Sequence, residues 1–213
     1  MGAGLRANDL VRRLMQTAGM LALVGVCAAS LAGCNPVPPA LRGLGGHASA
    51  PRHSAQPGQP VRLRIPAIGL DWPVVPVGRD ATGAMDTPQG DANAPSWHEG
   101  FWWKYGFLVG QPGNAVIAGH VDDLDGNLTP FAQVSQLHAG DVIEATTARG
   151  DTFRFAVTQV KAVPNPVGGP GDPTITTLFG PAKAQQLNLI TCAGEWVGNE
   201  FDERLVVYST LAT

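Results

Sequence analysis

Cysteine is scarce in this chain, with three in 213 residues. Cys27 lies inside an N-terminal apolar stretch and Cys34 closes it, so Cys192 is the only thiol of the part expected to fold. One thiol cannot build a disulfide framework or a Cys-x-x-Cys redox pair. Positive charge is scarce as well. Of 14 basic and 17 acidic residues, Arg6, Arg12, Arg13 and Asp9 precede residue 34, which leaves 11 basic against 16 acidic and a formal charge of −5. Without a basic patch or a stripe of alternating basic and aromatic residues, nucleic acid is a poor partner. The chain also has no internal repeat and no glycine-rich loop of the phosphate-cradling kind.

Charge of either sign is missing from Leu14 through Cys34, directly after the arginines. A basic start, an apolar run and small residues before a break are the layout of an export signal. A run of about 20 apolar residues is also long enough to span a bilayer as an uncleaved anchor. Both readings place the remainder outside the cytoplasm and tethered to a membrane. Residues 35–60 then turn to Pro, Gly, Ala, Ser and Gln, with six prolines and no apolar period, and read as a disordered linker. His47 and His53 fall in that linker and are expected to be solvated.

Residues 61–213 hold one domain's worth of chain, and their patterning is mainly β. Val61–Ile65 alternates apolar and charged residues, the period of a half-buried strand, with Arg62 and Arg64 facing solvent. A second strand is expected over Asp71–Val77, confined to an edge by Pro73 and Pro76. Arg79 to Gly113, rich in Gly, Pro and aromatics, reads as ordered loops, with Trp97–Phe107 either facing a substrate or, the preferred reading, packed against the body. Ala115–Ala118 reads as a buried strand, and Pro130–Leu137 as a helical turn or two presenting Phe131, Val134 and Leu137. Strands over Val142–Thr147 and Thr152–Val163 are joined by a hairpin at Arg149-Gly150-Asp151. A short helix near Thr174–Phe179 and strands over Leu187–Cys192 and Arg204–Leu211 complete the pattern. About eight short strands with few helices imply a closed or nearly closed barrel.

Cys192 ends the apolar run Leu187-Asn188-Leu189-Ile190-Thr191-Cys192, where a strand would present a thiol nucleophile. Such a nucleophile needs a proton partner and a donor for a developing oxyanion. His98 lies in an aromatic loop and His138 in a turn. His120 follows Ala115-Val116-Ile117-Ala118-Gly119, and a group at a strand end is held more firmly than one on a loop. On chemistry alone, His120 as a proton carrier and His120 as a structural histidine stand even. Arg204 precedes Leu205-Val206-Val207-Tyr208 and is either a strand-flanking charge or a fixed donor of hydrogen bonds. The acidic group Asp122, Asp123 and Asp125 lacks the spacing of an EF-hand and reads as a solvated loop. No metal or cofactor is implied.

Cys192 after Leu189-Ile190-Thr191, Arg204 twelve residues later, and His120 within Ala-Gly-His together resemble the sortase signature. Gly113–Asp122 and Arg62–Leu70 are most similar to actinobacterial sortases of classes E and F. Leu31-Ala32-Gly33-Cys34 separately resembles a bacterial lipobox, which implies lipidation at Cys34. The sortase resemblance implies an eight-stranded β-barrel carrying a cysteine transpeptidase. In that role Cys192 attacks the Thr–Gly bond of an LPxTG-like sorting signal and His120 handles the protons. Arg204 stabilises the oxyanion, and Thr191 shapes the substrate groove. The implied partners are surface proteins bearing the signal and an amine acceptor of the cell wall or a pilin. The lipobox is unusual for such enzymes, and the extra Gly and Pro of residues 165–174 prevent transfer of the exact motif. A thiol hydrolase on the same fold and a catalytically silent surface-binding lipoprotein are the alternatives.

Overall fold

The computed structural model describes residues 55–165 and 173–212. The export segment, Cys34, His47 and His53 lie outside the described residues. Alternating side chains build the first pair of strands, β1 (Pro60–Ile65) and β2 (Leu70–Val77). In β1, Leu63 and Ile65 are fully buried while Arg62 and Arg64 stay exposed and pair with Asp71 and Glu144. A 3-10 turn over Pro66–Ile68 reverses the chain, closed by Gly69 in the left-handed region at φ 65°. Ahead of β1, Gly58 exchanges backbone hydrogen bonds with Val109, so the chain is already fastened before the barrel begins.

Six further strands follow: β3 (Gly100–Trp103), β4 (Gly113–Ala118), β5 (Val142–Thr147), β6 (Thr152–Pro164), β7 (Gln185–Val197) and β8 (Glu200–Leu211). They close a barrel in the order β1-β2-β3-β4-β7-β8-β6-β5, with β5 returning to β1. The β2–β3 and β4–β7 pairs are parallel and the others antiparallel. This is the mainly β, closed eight-stranded architecture implied by the sequence, with a short helix α1 (Pro173–Phe179) and three 3-10 turns.

Three elements differ from the sequence reading. The second strand is not a sheet edge, since β2 lies between β1 and β3. Its first half, residues 70–73, pairs with β1 and its second half, residues 74–77, pairs with β3. Each proline therefore stands where only one neighbour requires hydrogen bonds, which satisfies the same rule by a different route. β3 falls inside the segment expected to be loop. Its four residues are all buried, so no alternation marks it. Finally, β7 does not stop at Cys192 and β8 does not start at Arg204. Both run on as a hairpin through Gly198-Asn199, each at positive φ (60° and 73°), the conformation of a two-residue type I′ turn.

The interior is filled by apolar side chains, Leu63, Ile117, Phe155 and Leu189 among them. The outer face is also apolar in one region. There Val77, Phe101 and Ala118 cluster with Ile190, and Val206 packs with Leu178 of α1. That double coverage explains why every residue of β4 is buried and why it reads as a continuous apolar run. Among the described residues no helix is long and apolar enough to cross a membrane.

Candidate active site

Strand alternation decides where the thiol points. Leu187, Leu189 and Thr191 of β7 are buried, and the two leucines belong to the barrel interior. Ile190 joins the outer clusters, so Cys192, two residues on, faces outward as well. In the β7–β8 ladder Cys192 is directly opposite Arg204, which places both side chains on that outer face. The regular register ends just beyond, between Ala193 and Trp196, with Gly194 at φ 83°. A Cβ on Gly194 would stand 2.1 Å from Asp202 Oδ1, so only glycine fits this kink. The thiol thus sits at the last regular rung of a long hairpin, not at a free strand end.

His120 arrives from the neighbouring strand, two residues past β4. Gly119 links the two strands: its N–H donates to Ile190 O at 3.1 Å, and its carbonyl accepts from Thr191 Oγ1 at 2.8 Å. Phe131 packs so closely that a Cβ on Gly119 would meet its ring at 2.6 Å. Thr129 adds a further tie by donating its hydroxyl to the His120 carbonyl. The imidazole lies 4.8 Å from the Trp97 ring and 5.2 Å from the Phe101 ring, centroid to centroid. Its Nε2 is 2.9 Å from Pro88 O. A carbonyl only accepts, so Nε2 carries the hydrogen and Nδ1 is left for proton exchange.

His120, Thr191, Cys192 and Arg204 line one cavity of about 530 Å³. Its floor is the apolar outer surface of the barrel at Ile190, and α1 supplies Ile175 and Phe179 as one wall. The opposite wall is the turn after β2, where Arg79 Nη1 donates to Gly83 O and the Asp80 carboxylate gathers the N–H groups of Thr82 and Ala84. Arg79 also stacks over Trp103, 5.2 Å from the ring centre. Thr191 borders this cavity, but its hydroxyl is buried and committed to Gly119, so it fixes the geometry of the groove floor. Arg79 and Met85 have no individual signal in the sequence, and Trp103 has only its place in the aromatic loop that either faces a substrate or packs. They belong to the Gly/Pro/aromatic stretch, whose lack of periodicity hides which side chains converge.

Burial pushes the Cys192 thiol above the ordinary thiol value, opposed by the Arg204 charge and reinforced by Asp122 and Glu200. Arg204 Nη1 donates to Phe201 O at 3.1 Å and to Glu203 O at 3.0 Å. With five N–H donors, the guanidinium keeps others for a ligand in the cavity. His98 and His138 are exposed and line neither this cavity nor the thiol. His98 stacks edge-on to Trp72, and His138 N donates to Asp141 in a turn. In the acidic loop, Asp123 accepts from Asp125 N and from both the backbone and side chain of Asn127.

A thiol, an imidazole and a guanidinium around one open groove can carry acyl transfer, with nucleophile, proton carrier and oxyanion donor all present. Solved structures share the fold. The structure is similar to Sortase A from Corynebacterium diphtheriae, with TM-score 0.52 and 21% identity, covering 76% of this chain and 63% of that one. It is similar to sortase C-1 from Actinomyces oris at TM-score 0.52 and 22% identity, covering 73% and 74%. A Clostridium perfringens Sortase D5 transpeptidase matches at TM-score 0.51 and 17% identity, covering 75% and 83%. At these identities the likeness is one of fold, and the named relatives are of classes A, C and D, so the class E or F subtype is not shown. A sequence comparison with curated proteins finds no match. The family model for the sortase domain matches residues 63–212. The chain belongs to the sortase family of cysteine transpeptidases.

Proposed function

We propose that this chain cleaves a C-terminal sorting signal of the LPxTG type and joins the freed acyl group to an amine. The observation that carries this reading is the convergence of Cys192, His120 and Arg204 on one groove with an apolar floor. Ile175, Phe179 and Ile190 suit the short aliphatic side chains at the start of such a signal. Cys192 Sγ gives its proton to His120 Nδ1 and attacks the Thr carbonyl carbon, and spare N–H groups of Arg204 hold the oxyanion. His120 protonates the leaving glycine amine through Nδ1, and the Thr acyl group remains on sulfur as a thioester. An incoming neutral amine then attacks the thioester, a C–N bond replaces the C–S bond, and the N–H proton the amine loses passes to sulfur and restores the thiol.

The motifs over Gly113–Asp122 and Arg62–Leu70 support placing the chain with the actinobacterial class E and F enzymes. The N-terminal pattern supports a site of action on the outer face of the cell membrane, held there by a lipid on Cys34 or by an uncleaved helix. Incubation of the chain with a labelled Leu-Pro-Ala-Thr-Gly peptide, with and without triglycine, tests the reaction. The expected result is a thioester on Cys192, an amide product with the amine, and neither in Cys192→Ala. Acid product alone with every amine tried would mark a hydrolase instead.

A further inference from the structure

A second cavity, of about 380 Å³, opens on the other side of the thiol. It shares only His120 and Cys192 with the groove described above. Transfer through a thioester is a two-substrate reaction, and the second substrate must reach the same carbonyl carbon from a free side. From this arrangement, and resting on the transpeptidase reading, we propose that the second cavity is the acceptor site and takes a peptide-borne primary amine.

Its lining differs in chemistry from the first cavity. One wall is the loop after His120, bearing Asp122, Asp123 and Leu124. Asp123 is occupied by its own loop, as described. Asp122 forms no ion pair or hydrogen bond with another side chain among the described residues, and its electrostatic neighbours are Asp123, His120 and the Cys192 thiol. Its carboxyl is pushed above the usual range chiefly by burial and then by Asp123, a cost that an arriving cation relieves. The other wall is the β7–β8 hairpin, where Trp196 stacks edge-on against Phe201 at 5.1 Å. Trp196 remains 57% exposed and Leu124 59% exposed, so both present apolar surface to this cavity. A cavity lined by a carboxylate and an exposed indole is a suitable receptor for an ammonium group on an apolar stem. The donor groove offers the reverse, with two arginines, Arg79 and Arg204, and no carboxylate among its lining residues.

In the transfer step the ammonium docks beside Asp122 and loses one proton, to His120 or to solvent. The neutral nitrogen attacks the thioester carbon, the C–N bond forms and the C–S bond breaks. A second N–H proton ends on Cys192 sulfur, giving the amide and the free thiol.

The partition of one thioester between amide and acid products tests this directly, because both arise from the same intermediate and any loss of folded enzyme cancels. The probes are a Leu-Pro-Ala-Thr-Gly donor with triglycine or N-acetyl-lysine amide as acceptor, on the full chain. Asp122→Asn and Trp196→Ala are each expected to lower the amide-to-acid ratio at least fivefold at subsaturating amine. Asp122→Glu should recover part of it. Unchanged ratios in both variants would overturn the proposal. A parallel titration on Cys192→Ala, which needs no turnover, follows the indole N–H resonance of Trp196. The amines should shift it and their N-acetylated counterparts should not. Absence of any shift, or equal shifts, would count against the acceptor site even if thioester formation is normal. A normal shift with no thioester in the parent chain would instead count against the transpeptidase reading alone.

Discussion

Three side chains act on the Cys192 thiol with opposite signs, and the balance is measurable. Burial raises its pKa, Arg204 lowers it, and Asp122 and Glu200 raise it again. A raised thiol pKa means less thiolate at neutral pH, so alkylation should be slow there and should rise with pH to a midpoint above that of an ordinary thiol. Site-resolved mass spectrometry of iodoacetamide adducts at Cys192 measures that midpoint. Arg204→Ala should move it further up, and Asp122→Asn should move it down. A midpoint that Arg204→Ala leaves in place would mean that the two side chains do not interact. Thr191 is tested separately. Thr191→Val removes its hydrogen bond and leaves the Gly119 carbonyl buried without its partner, at a cost of about 1–3 kcal/mol. Thr191→Ser should retain most of both stability and turnover. Equal losses in the two variants, by thermal melting and by rate, would show that the hydroxyl does not hold the site.

At the scale of elements, Gly119 and α1 carry the alignment. Gly119→Ala forces a methyl toward Phe131 and should cost about 1–3 kcal/mol by overpacking. Because His120 is the next residue, the rate should fall by more than the stability loss accounts for, and Phe131→Leu in the same chain should restore part of it. The wall formed by α1 is fastened from below by a buried amide pair. Asn188 Nδ2 donates to Leu178 O and to Asn114 Oδ1, while Asn114 Nδ2 donates to Gly180 O. Asn188→Ala should raise the KM for the donor peptide severalfold with less effect on kcat; a change in kcat alone would contradict this role for the helix. These elements were unequally legible in the sequence. Strands with one dry and one wet face, such as β1 and β6, announce themselves by alternation. β3 does not, because Gly100–Trp103 is covered on both sides, and the tails of β7 and β8 do not, because that hairpin is largely exposed. The turn chemistry of Gly198-Asn199 was the available signal for the hairpin.

For the molecule as a whole, the barrel's closure is what brings distant residues to one place. Pairing β4 in parallel with β7 sets Ala118 beside Ile190, so residues 120 and 192 emerge at the same end of adjacent strands. That pairing cannot be read from spacing along the chain. His120, Cys192 and Arg204 are candidates on their local motifs alone and the closed barrel brings them to one cavity, while the groove walls at Arg79–Met85 and the second cavity are visible only in the closed barrel. The proposed tether is tested in cells: Cys34→Ala should abolish incorporation of labelled fatty acid into the protein, and continued labelling would contradict lipidation at that residue.

The most direct test of the account is intact-mass measurement of the full chain mixed with a Leu-Pro-Ala-Thr-Gly peptide, followed by addition of triglycine. The account predicts an adduct of the Leu-Pro-Ala-Thr acyl mass on Cys192 that disappears as the Leu-Pro-Ala-Thr-triglycine amide appears. Formation of the amide by Cys192→Ala, or an adduct mapped to any other residue, would contradict it.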